Sequence, residues 1–171
     1  MNRLFLSLLG LVLTSLTAHA WSIDGHLYVS NIAYDLLEEN APDALAAANT
    51  MLTYLQVADP DMTTHEDKHA LVECATFADD LKYHGEGWQG DYHFVDLPWV
   101  SEGSASDYDI GPEDRNLTEA LPALVAWLSQ KQGTDYKTSS IYTHLMEEFD
   151  DENVAKSYAL RLIVHYMGDI M

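Results

Sequence analysis

Cysteine is almost absent from this sequence of 171 residues, and basic residues are scarce. The single cysteine, Cys74, has no second thiol to pair with, so an internal disulfide is excluded and the fold must be held by packing or by a bound metal. Lys and Arg number 8 against 28 Asp and Glu, a net charge of −20. Such a chain repels nucleic acid at long range, so tight non-specific binding of duplex DNA is disfavoured. An enzyme acting on nucleic acid would need bound cations at its site.

Long apolar runs are missing outside the first twenty residues. There, Met-Asn-Arg is followed by an apolar stretch from Leu4 to Leu16 and by Thr-Ala-His-Ala. One positive charge, a short apolar core and a small-x-small ending form the layout of a secretory signal peptide, and the run is too short for a membrane span. We therefore expect residues 1–20 to be a signal peptide, and residues 21–171 to form one secreted or periplasmic domain that begins at Trp21.

Apolar residues recur at three- and four-residue steps through most of the mature chain. The pattern predicts an all-α fold with helices over residues 23–39, 41–55, 66–82, 118–130 and 151–169. Residues 85–90 are rich in glycine and predict a turn, residues 92–98 predict a short extended segment, and residues 101–114 predict an acidic loop. Asn116-Leu117-Thr118 is a glycosylation sequon if the source is eukaryotic, and otherwise the cap region of a helix.

Motifs of the common nucleophilic and nucleotide-binding sites are also missing. The sequence contains no Gly-x-Ser-x-Gly elbow, no Walker loop, no dinucleotide-binding glycine turn and no paired-cysteine zinc module. Cys74 has no context that would make it a nucleophile. The catalytic options therefore reduce to metal-assisted hydrolysis.

Three separated features could supply metal ligands. His165 and Asp169 are four residues apart, which places both on one face of a helix and within reach of one divalent ion. Asp79 ends an apolar helical pattern, and His93 lies in a short apolar run. Taken alone, each also fits an ordinary role as a solvated carboxylate, a helix-terminal histidine or a hydrogen-bonded core histidine.

A fourth feature is the expected new N-terminus. An α-amino group has a pKa of about 8 and can coordinate zinc once deprotonated, with the carbonyl of the same residue closing a chelate ring. Trp21 would supply both groups, and His26 follows five residues later. The alternative is a cleavage site that happens to precede a core tryptophan. His65 and His69 also stand four residues apart, but their polar surroundings favour a solvated helix start.

Four segments taken together resemble the zinc-dependent single-strand-specific nucleases of fungi, plants and bacteria, the S-one/P-one nuclease family. In one-letter code they are WSIDGH from Trp21, ATFADDLK from Ala75, HFVD from His93 and LIVHYMGDI from Leu162. The resemblance implies an all-α domain of the phospholipase C and single-strand nuclease type, with up to three zinc ions in a cleft. It implies that one zinc is held by Trp21, His26 and Asp169, and a second by Asp79, His93, His165 and Asp169.

The same resemblance implies roles for further residues. Asp79 would orient the attacking hydroxide, and Lys82, where the family usually has Arg, would steady phosphate oxygens. Phe94 would stack on a base and Asp96 would hydrogen-bond to it. A stacking ring accepts only an unpaired base, which gives a preference for single strands. Plain core packing of Phe94 is the competing interpretation.

The chain ends at Met171, before the residues that complete the third zinc site in the family, so we expect a C-terminally truncated, N-terminal fragment; the alternative is a degenerate relative of the family. The implied function is that of a secreted zinc-dependent endonuclease and 3′-nucleotidase, with single-stranded nucleic acid and nucleotides as its substrates. We expect a monomer that binds neither a membrane nor a protein partner. The alternatives are a zinc phospholipase C-like hydrolase and a non-catalytic secreted binding protein.

Overall fold

The structure is a computed structural model that describes residues 23–82, 85, 87–95 and 115–171. The predicted signal peptide, Trp21, Asp96 and the predicted loop at 101–114 lie outside the described residues. Regular structure within the described ranges is helical throughout, which confirms the all-α prediction. No helix in this part of the chain is long and apolar enough to cross a membrane.

The described ranges contain seven α-helices joined by short 3-10 helices. The α-helices are α1 Ile23–Asn40, α2 Pro42–Ala58, α3 Ala70–Glu73, α4 Phe77–Leu81, α5 Leu117–Leu128, α6 Ser140–Glu148 and α7 Glu152–Ile170. The 3-10 helices are Pro60–Thr63, Cys74–Thr76, Gly87–His93 and Tyr136–Thr138. Helices α1, α2, α5 and α7 match the predicted helices to within a few residues.

Local chemistry explains where these helices begin. Pro42 stands in the first turn of α2, where a missing N–H costs nothing. The Asn116 side chain accepts hydrogen bonds from the N–H groups of Thr118 and Glu119 and caps α5. Asp151 accepts from the Asn153 N–H at 2.7 Å and caps α7 in the same way. The buried Asn116 of the sequon is therefore a helix cap.

The prediction of one helix over residues 66–82 is wrong. The Glu73 carboxylate accepts hydrogen bonds from the backbone N–H groups of Asp67 and His69, at 2.7 and 3.0 Å, so these residues form a turn and α3 starts only at Ala70. A 3-10 turn over Cys74–Thr76 then separates α3 from α4. The 3-10 segment is only three residues long, too short for its different period to disturb the pattern of apolar residues, so the pattern did not reveal the break.

The glycine turn predicted over residues 85–90 and the first two residues of the extended segment predicted over 92–98 are also wrong; residues 96–98 lie outside the described residues. Residues Gly87–His93 form a 3-10 helix. Gln89, Tyr92 and His93 are buried, and three-residue spacing places the first two on one side of such a helix. Helix α6 was not predicted at all, because polar residues dominate its short sequence.

Helix α7 lies at the centre of the fold and packs against α1, α2, α4, α5 and α6. Its apolar side is buried in the main core, which includes Tyr158, Leu162 and Tyr166. One charged residue is also buried there. The Arg161 guanidinium donates to both carboxylate oxygens of Glu66, at 2.6 and 2.5 Å, and to the carbonyl oxygen of Leu52 in α2 at 3.0 Å. This ion pair joins α7 to α2 and to the segment before α3.

Candidate metal centre

Four elements bring five of the predicted site residues together. The last two turns of α7 carry His165 and Asp169, and the first turn of α1 carries His26. Helix α4 carries Asp79, and His93 is the last residue of the 3-10 helix Gly87–His93. All three histidines are buried, whereas Asp79 is partly exposed.

Asp169 lies between the three histidines. Its Oδ1 atom is 3.1 Å from His26 Nε2. Its Oδ2 atom is 3.0 Å from His93 Nδ1 and 3.5 Å from His165 Nε2. The two oxygens of this carboxylate therefore face different histidines: Oδ1 faces His26, and Oδ2 faces His93 and His165.

His165 connects the remaining members of the cluster. Its Nε2 atom is 3.1 Å from His93 Nδ1 and 3.9 Å from Asp79 Oδ1. Zinc binds nitrogen and oxygen at about 2.0–2.2 Å, so two ligands of one tetrahedral ion lie roughly 3.3 Å apart. The observed separations scatter around that distance. Two groups, His26 with His165 and Asp169, and Asp79 with His93 and His165, could each hold a metal ion.

Backbone contact fixes the orientation of His165. Its Nδ1 atom lies 2.6 Å from the carbonyl oxygen of Ala75, which can only accept a hydrogen bond. The proton of the neutral ring is therefore on Nδ1, and the lone pair of Nε2 points into the cluster. The 3-10 turn that breaks the predicted helix is what brings the Ala75 carbonyl to this position.

A side chain fixes the orientation of His93. The Gln89 amide donates from Nε2 to the carbonyl oxygen of Ala78 at 2.6 Å, so its Oε1 atom is the one that faces His93. That oxygen accepts a hydrogen bond from His93 Nε2 at 2.7 Å. In the neutral His93 ring, Nδ1 therefore carries a lone pair and also points into the cluster.

Three acceptor atoms thus converge without a donor among them: His93 Nδ1, His165 Nε2 and Asp169 Oδ2. The Asp169 oxygen is buried, and no hydrogen-bond donor satisfies it. Lone pairs at 3.0–3.5 Å repel one another unless a proton or a metal cation lies between them. Two neutral imidazoles and a carboxylate are also ligands that zinc prefers, so the donor set fits this ion.

The protonation states of these groups suit metal binding. Burial lowers the pKa of His165 to about 4, with Asp169 opposing the shift and the neighbouring His26 adding to it. Burial alone would raise the pKa of Asp169, but the hydrogen bond from His26 lowers it, and the pKa of this carboxyl lies well below its usual range. At neutral pH, His165 is therefore neutral and Asp169 is ionised, as metal ligands must be.

The close packing of α1 on α7 depends on a glycine. His26 stacks on His165 with ring centroids 4.2 Å apart, and it lies directly against Gly168. A Cβ atom at residue 168 would be only 2.5 Å from His26 Cδ2. Only glycine allows the imidazole to occupy this place.

The other predicted site residues lie at the edge of the cluster. Lys82 donates to Asp79 Oδ1 at 2.7 Å, and both side chains are about one-third exposed. For Asp79, burial favours a higher pKa, but the Lys82 hydrogen bond and the nearby His165 lower it overall. Phe94 is 46% exposed, and its ring lies 5.8 Å from the His93 ring. This exposure favours a ring that faces solvent over core packing, the competing interpretation of Phe94.

His65, His69 and Cys74 take no part in the cluster. His65 and His69 are exposed and belong to neither ligand group in the described part of the chain. They are solvated as expected, but they lie in the turn before α3 and do not start a helix. His69 instead places its ring edge against Tyr34. Burial raises the pKa of the Cys74 thiol far above its usual range, which agrees with the absence of a nucleophilic context.

Sequence analysis missed Gln89, the Ala75 carbonyl and Gly168. Gln89 precedes His93 by four residues, a spacing that would have indicated contact had residues 87–93 been recognised as helical. The Ala75 carbonyl is a backbone group, and no side-chain motif reports it. Gly168 stands beside Asp169 in a helix interior, where glycine is unfavourable, and that was a usable signal of close approach.

A family model described as S1/P1 Nuclease matches residues 21–171. The matched range contains all five clustered side chains as well as Trp21. No curated protein and no solved structure gave a significant match.

Proposed function

The chain belongs to the S1/P1 nuclease family, and we propose that it is a zinc-dependent phosphodiesterase that hydrolyses single-stranded DNA and RNA and removes 3′-phosphates from nucleotides. The observation that carries this proposal is the convergence of His93 Nδ1, His165 Nε2 and the buried Asp169 Oδ2 without a donor between them. A structural cluster of core histidines would have its buried acceptors satisfied by donors. A metal centre needs acceptors.

We assign two zinc sites to this cluster. Asp79, His93, His165 and one oxygen of Asp169 form the ligand set of the first site. His26 and the other oxygen of Asp169 contribute to the second site, where the amino and carbonyl groups of Trp21 complete the set. The different directions of the two Asp169 oxygens support a bridging role for this carboxylate.

Zinc and the side chains of the protein would contribute different parts of the hydrolysis at this site. Bound zinc lowers the pKa of water, polarises the scissile phosphate and neutralises charge in the displacement. Asp79 is the one partly exposed carboxylate of the cluster, so it can accept a hydrogen bond from the attacking water and orient it. Lys82 holds the same carboxylate and brings a positive charge to the solvent side, where a phosphate oxygen would lie. A lysine offers a point charge here and not the bidentate contact of an arginine.

Phe94 supplies the preference for single strands. Its exposed ring directly follows the ligand His93, so a base stacked on it would place its phosphate near the metal centre. Stacking of a base on an aromatic ring contributes about 1–3 kcal/mol and requires an unpaired base. We assign base hydrogen bonding to Asp96 on its place in the HFVD segment. Because the chain carries a net charge of −20, attraction of the phosphate must come from the zinc ions and Lys82.

The proposal includes export. The pattern of residues 1–20 supports removal of a signal peptide, which would free the Trp21 amino group for zinc. A secreted or periplasmic monomer fits a hydrolase whose substrates are single strands and nucleotides.

Cleavage assays with controlled metal content test this function. We expect single-stranded DNA and RNA to be cleaved by the purified protein, cleavage to stop after exhaustive chelation, and zinc, but not calcium, to restore it. Activity that survives complete removal of metal would reject the proposal. Phosphatidylcholine turnover in the same preparation separates a nuclease from a phospholipase C-like hydrolase. A protein that retains no zinc and cleaves nothing would be the non-catalytic binding protein.

A further inference from the structure

We propose that Gln89 is a positioning residue of the metal centre: its side-chain amide fixes the tautomer and orientation of His93 and ties this ligand to the helix that carries Asp79. This inference rests on the proposed function, because it assigns Gln89 a part in presenting His93 to zinc. Gln89 touches neither substrate nor metal. It acts through the histidine.

The burial of Gln89 is the first observation. Its side chain is fully buried, with 0% of the residue exposed, at the centre of the 3-10 helix Gly87–His93. A buried primary amide is costly unless its polar atoms find partners. Both ends of this amide do, at 2.6 and 2.7 Å, so the side chain is held at a defined place.

The direction of the amide is set by its neighbours. The Ala78 carbonyl oxygen can only accept, so the NH₂ group must face it, and Oε1 must face His93. The hydrogen bond at His93 Nε2 therefore places the ring proton on that atom. The opposite nitrogen, Nδ1, is left with its lone pair towards His165 Nε2 and Asp169 Oδ2.

The same amide sets the spacing between two proposed ligands. Ala78 precedes Asp79 in α4, and His93 ends the 3-10 helix, so the two ligands come from separate elements. Gln89 spans the gap with one hydrogen bond to each side. Outer-shell partners of this kind orient histidine ligands and raise their basicity, and their loss typically lowers metal affinity by about 10- to 100-fold.

The tautomer of His93 tests the assignment directly. In zinc-free protein at pH 8, nitrogen NMR should show the His93 proton on Nε2. In Gln89→Met, an apolar side chain of similar size, Nε2 loses its acceptor and the proton should move to Nδ1, which faces Asp169 Oδ2 at 3.0 Å. Gln89→Glu keeps an acceptor for Nε2–H and should keep the wild-type tautomer, although its carboxylate loses the hydrogen bond to the Ala78 carbonyl. A wild-type proton on Nδ1, or the same tautomer in all three proteins, would overturn the proposal.

Zinc affinity gives the second readout. Competition with a chromophoric chelator, using zinc alone as the probe, should show affinity reduced by about 10- to 100-fold in Gln89→Met and closer to wild type in Gln89→Glu. Leu145→Ala is the control, because Leu145 is buried in α6 outside the cluster. It should lower the unfolding midpoint and leave zinc affinity of the folded protein unchanged.

The outcomes separate the two proposals. Equal zinc affinities in wild type and Gln89→Met, or equal losses in Gln89→Met and Leu145→Ala, would leave Gln89 a merely structural residue. If Gln89→Met does not fold, the His93 tautomers of the wild-type protein and of Gln89→Glu still test the proposal. A protein that binds no zinc contradicts the proposed function, whereas the His93 tautomer of the zinc-free protein tests Gln89 independently.

Discussion

At the scale of single residues, Asp169 is the side chain on which the centre depends most. Its two carboxylate oxygens lie 3.0–3.5 Å from ring nitrogens of all three clustered histidines. Its ionised form is stabilised by the hydrogen bond from His26 even though burial opposes charge. Removing this charge without changing the shape of the side chain therefore isolates its contribution.

Asp169→Asn should abolish retention of two zinc ions and lower cleavage of single-stranded DNA by more than the roughly 10- to 100-fold expected for an outer-shell partner. The amide keeps the volume but lacks the charge that would bridge two cations. Zinc per protein after equilibrium dialysis, measured alongside cleavage rates, checks this. The control is Asp91→Asn, an exposed carboxylate in the 3-10 helix. Two zinc ions retained by Asp169→Asn would contradict the bridging role.

Gly168→Ala tests the contact between α1 and α7. The new Cβ would lie 2.5 Å from the His26 ring, so the imidazole must move away from Asp169. We expect weaker zinc binding on the His26 side, although alanine favours a helix over glycine by about 1 kcal/mol. Isothermal titration with zinc measures the change. Gly90→Ala is a matched control, since no atom lies near its Cβ position; equal titration curves for both variants would refute the steric argument.

At the scale of secondary-structure elements, α7 must be held in place because it carries two proposed ligands. The buried Arg161 and Glu66 pair contributes to this, because Arg161 lies one turn before His165 in α7. Glu66→Gln would leave a buried guanidinium without its countercharge. We expect a loss of about 3–5 kcal/mol in the free energy of unfolding, measured by urea denaturation.

Replacing both Arg161 and Glu66 distinguishes the effect of an uncompensated buried charge from the effect of lost hydrogen bonds. Arg161→Met combined with Glu66→Leu removes both charges and should recover much of the stability lost in Glu66→Gln, because buried pairs are often replaceable by apolar side chains. If the double variant is no more stable than Glu66→Gln, hydrogen bonds of Arg161 to Leu52 and Ser157 carry the stabilisation and not the ion pair.

The secondary-structure elements also show how much of the fold could be predicted from the sequence. Periodic apolar residues were sufficient for α1, α2, α5 and α7, because these helices are long; α2, α5 and α7 also bury apolar side chains. They were insufficient between residues 66 and 93. There the course of the chain is decided by polar contacts over distance, from Glu73 to the turn before α3 and from Gln89 to Ala78. A pattern of apolar residues contains no information about such bonds.

Only part of the candidate site could likewise be predicted from the sequence. The five clustered side chains were predicted because a family resemblance placed them in four ordered segments. The supporting groups were not, since Gln89 lies in a segment predicted as a turn and Ala75 contributes only its backbone. Trp21 and Asp96 remain predictions from sequence, because both lie outside the described residues.

At the scale of the whole molecule, the centre makes stability depend on pH. The folded-state pKa of His165 is about 4 against an ordinary 6.5, so between these values the unfolded chain binds the extra proton. Stability therefore falls as pH drops from about 6.5 towards 4. Asp169 and Asp79, whose pKa values are also lowered, extend the loss to lower pH. His26 and His93 face His165 as well: the His26 ring stacks on it, and His93 Nδ1 lies 3.1 Å from its Nε2.

Urea denaturation of the zinc-free protein at pH 7, 5.5 and 4.5 measures this dependence. We expect the unfolding midpoint to fall steadily across the series, with a smaller fall in a His165→Gln variant, which cannot accept the proton. A midpoint that stays constant or rises would contradict the assigned protonation states. Zinc should raise all midpoints at neutral pH and lose this effect in acid, because protons compete for the same nitrogen atoms.

The most direct test of the central claim is the position of bound zinc, seen by anomalous diffraction at the zinc absorption edge from crystals of the purified protein. We predict a peak at about 2.0–2.2 Å from His93 Nδ1, His165 Nε2 and an Asp169 oxygen. A second peak is expected beside His26 Nε2 and the other Asp169 oxygen. Zinc located at the exposed His65 and His69 instead, or no zinc among the buried histidines, would contradict the account.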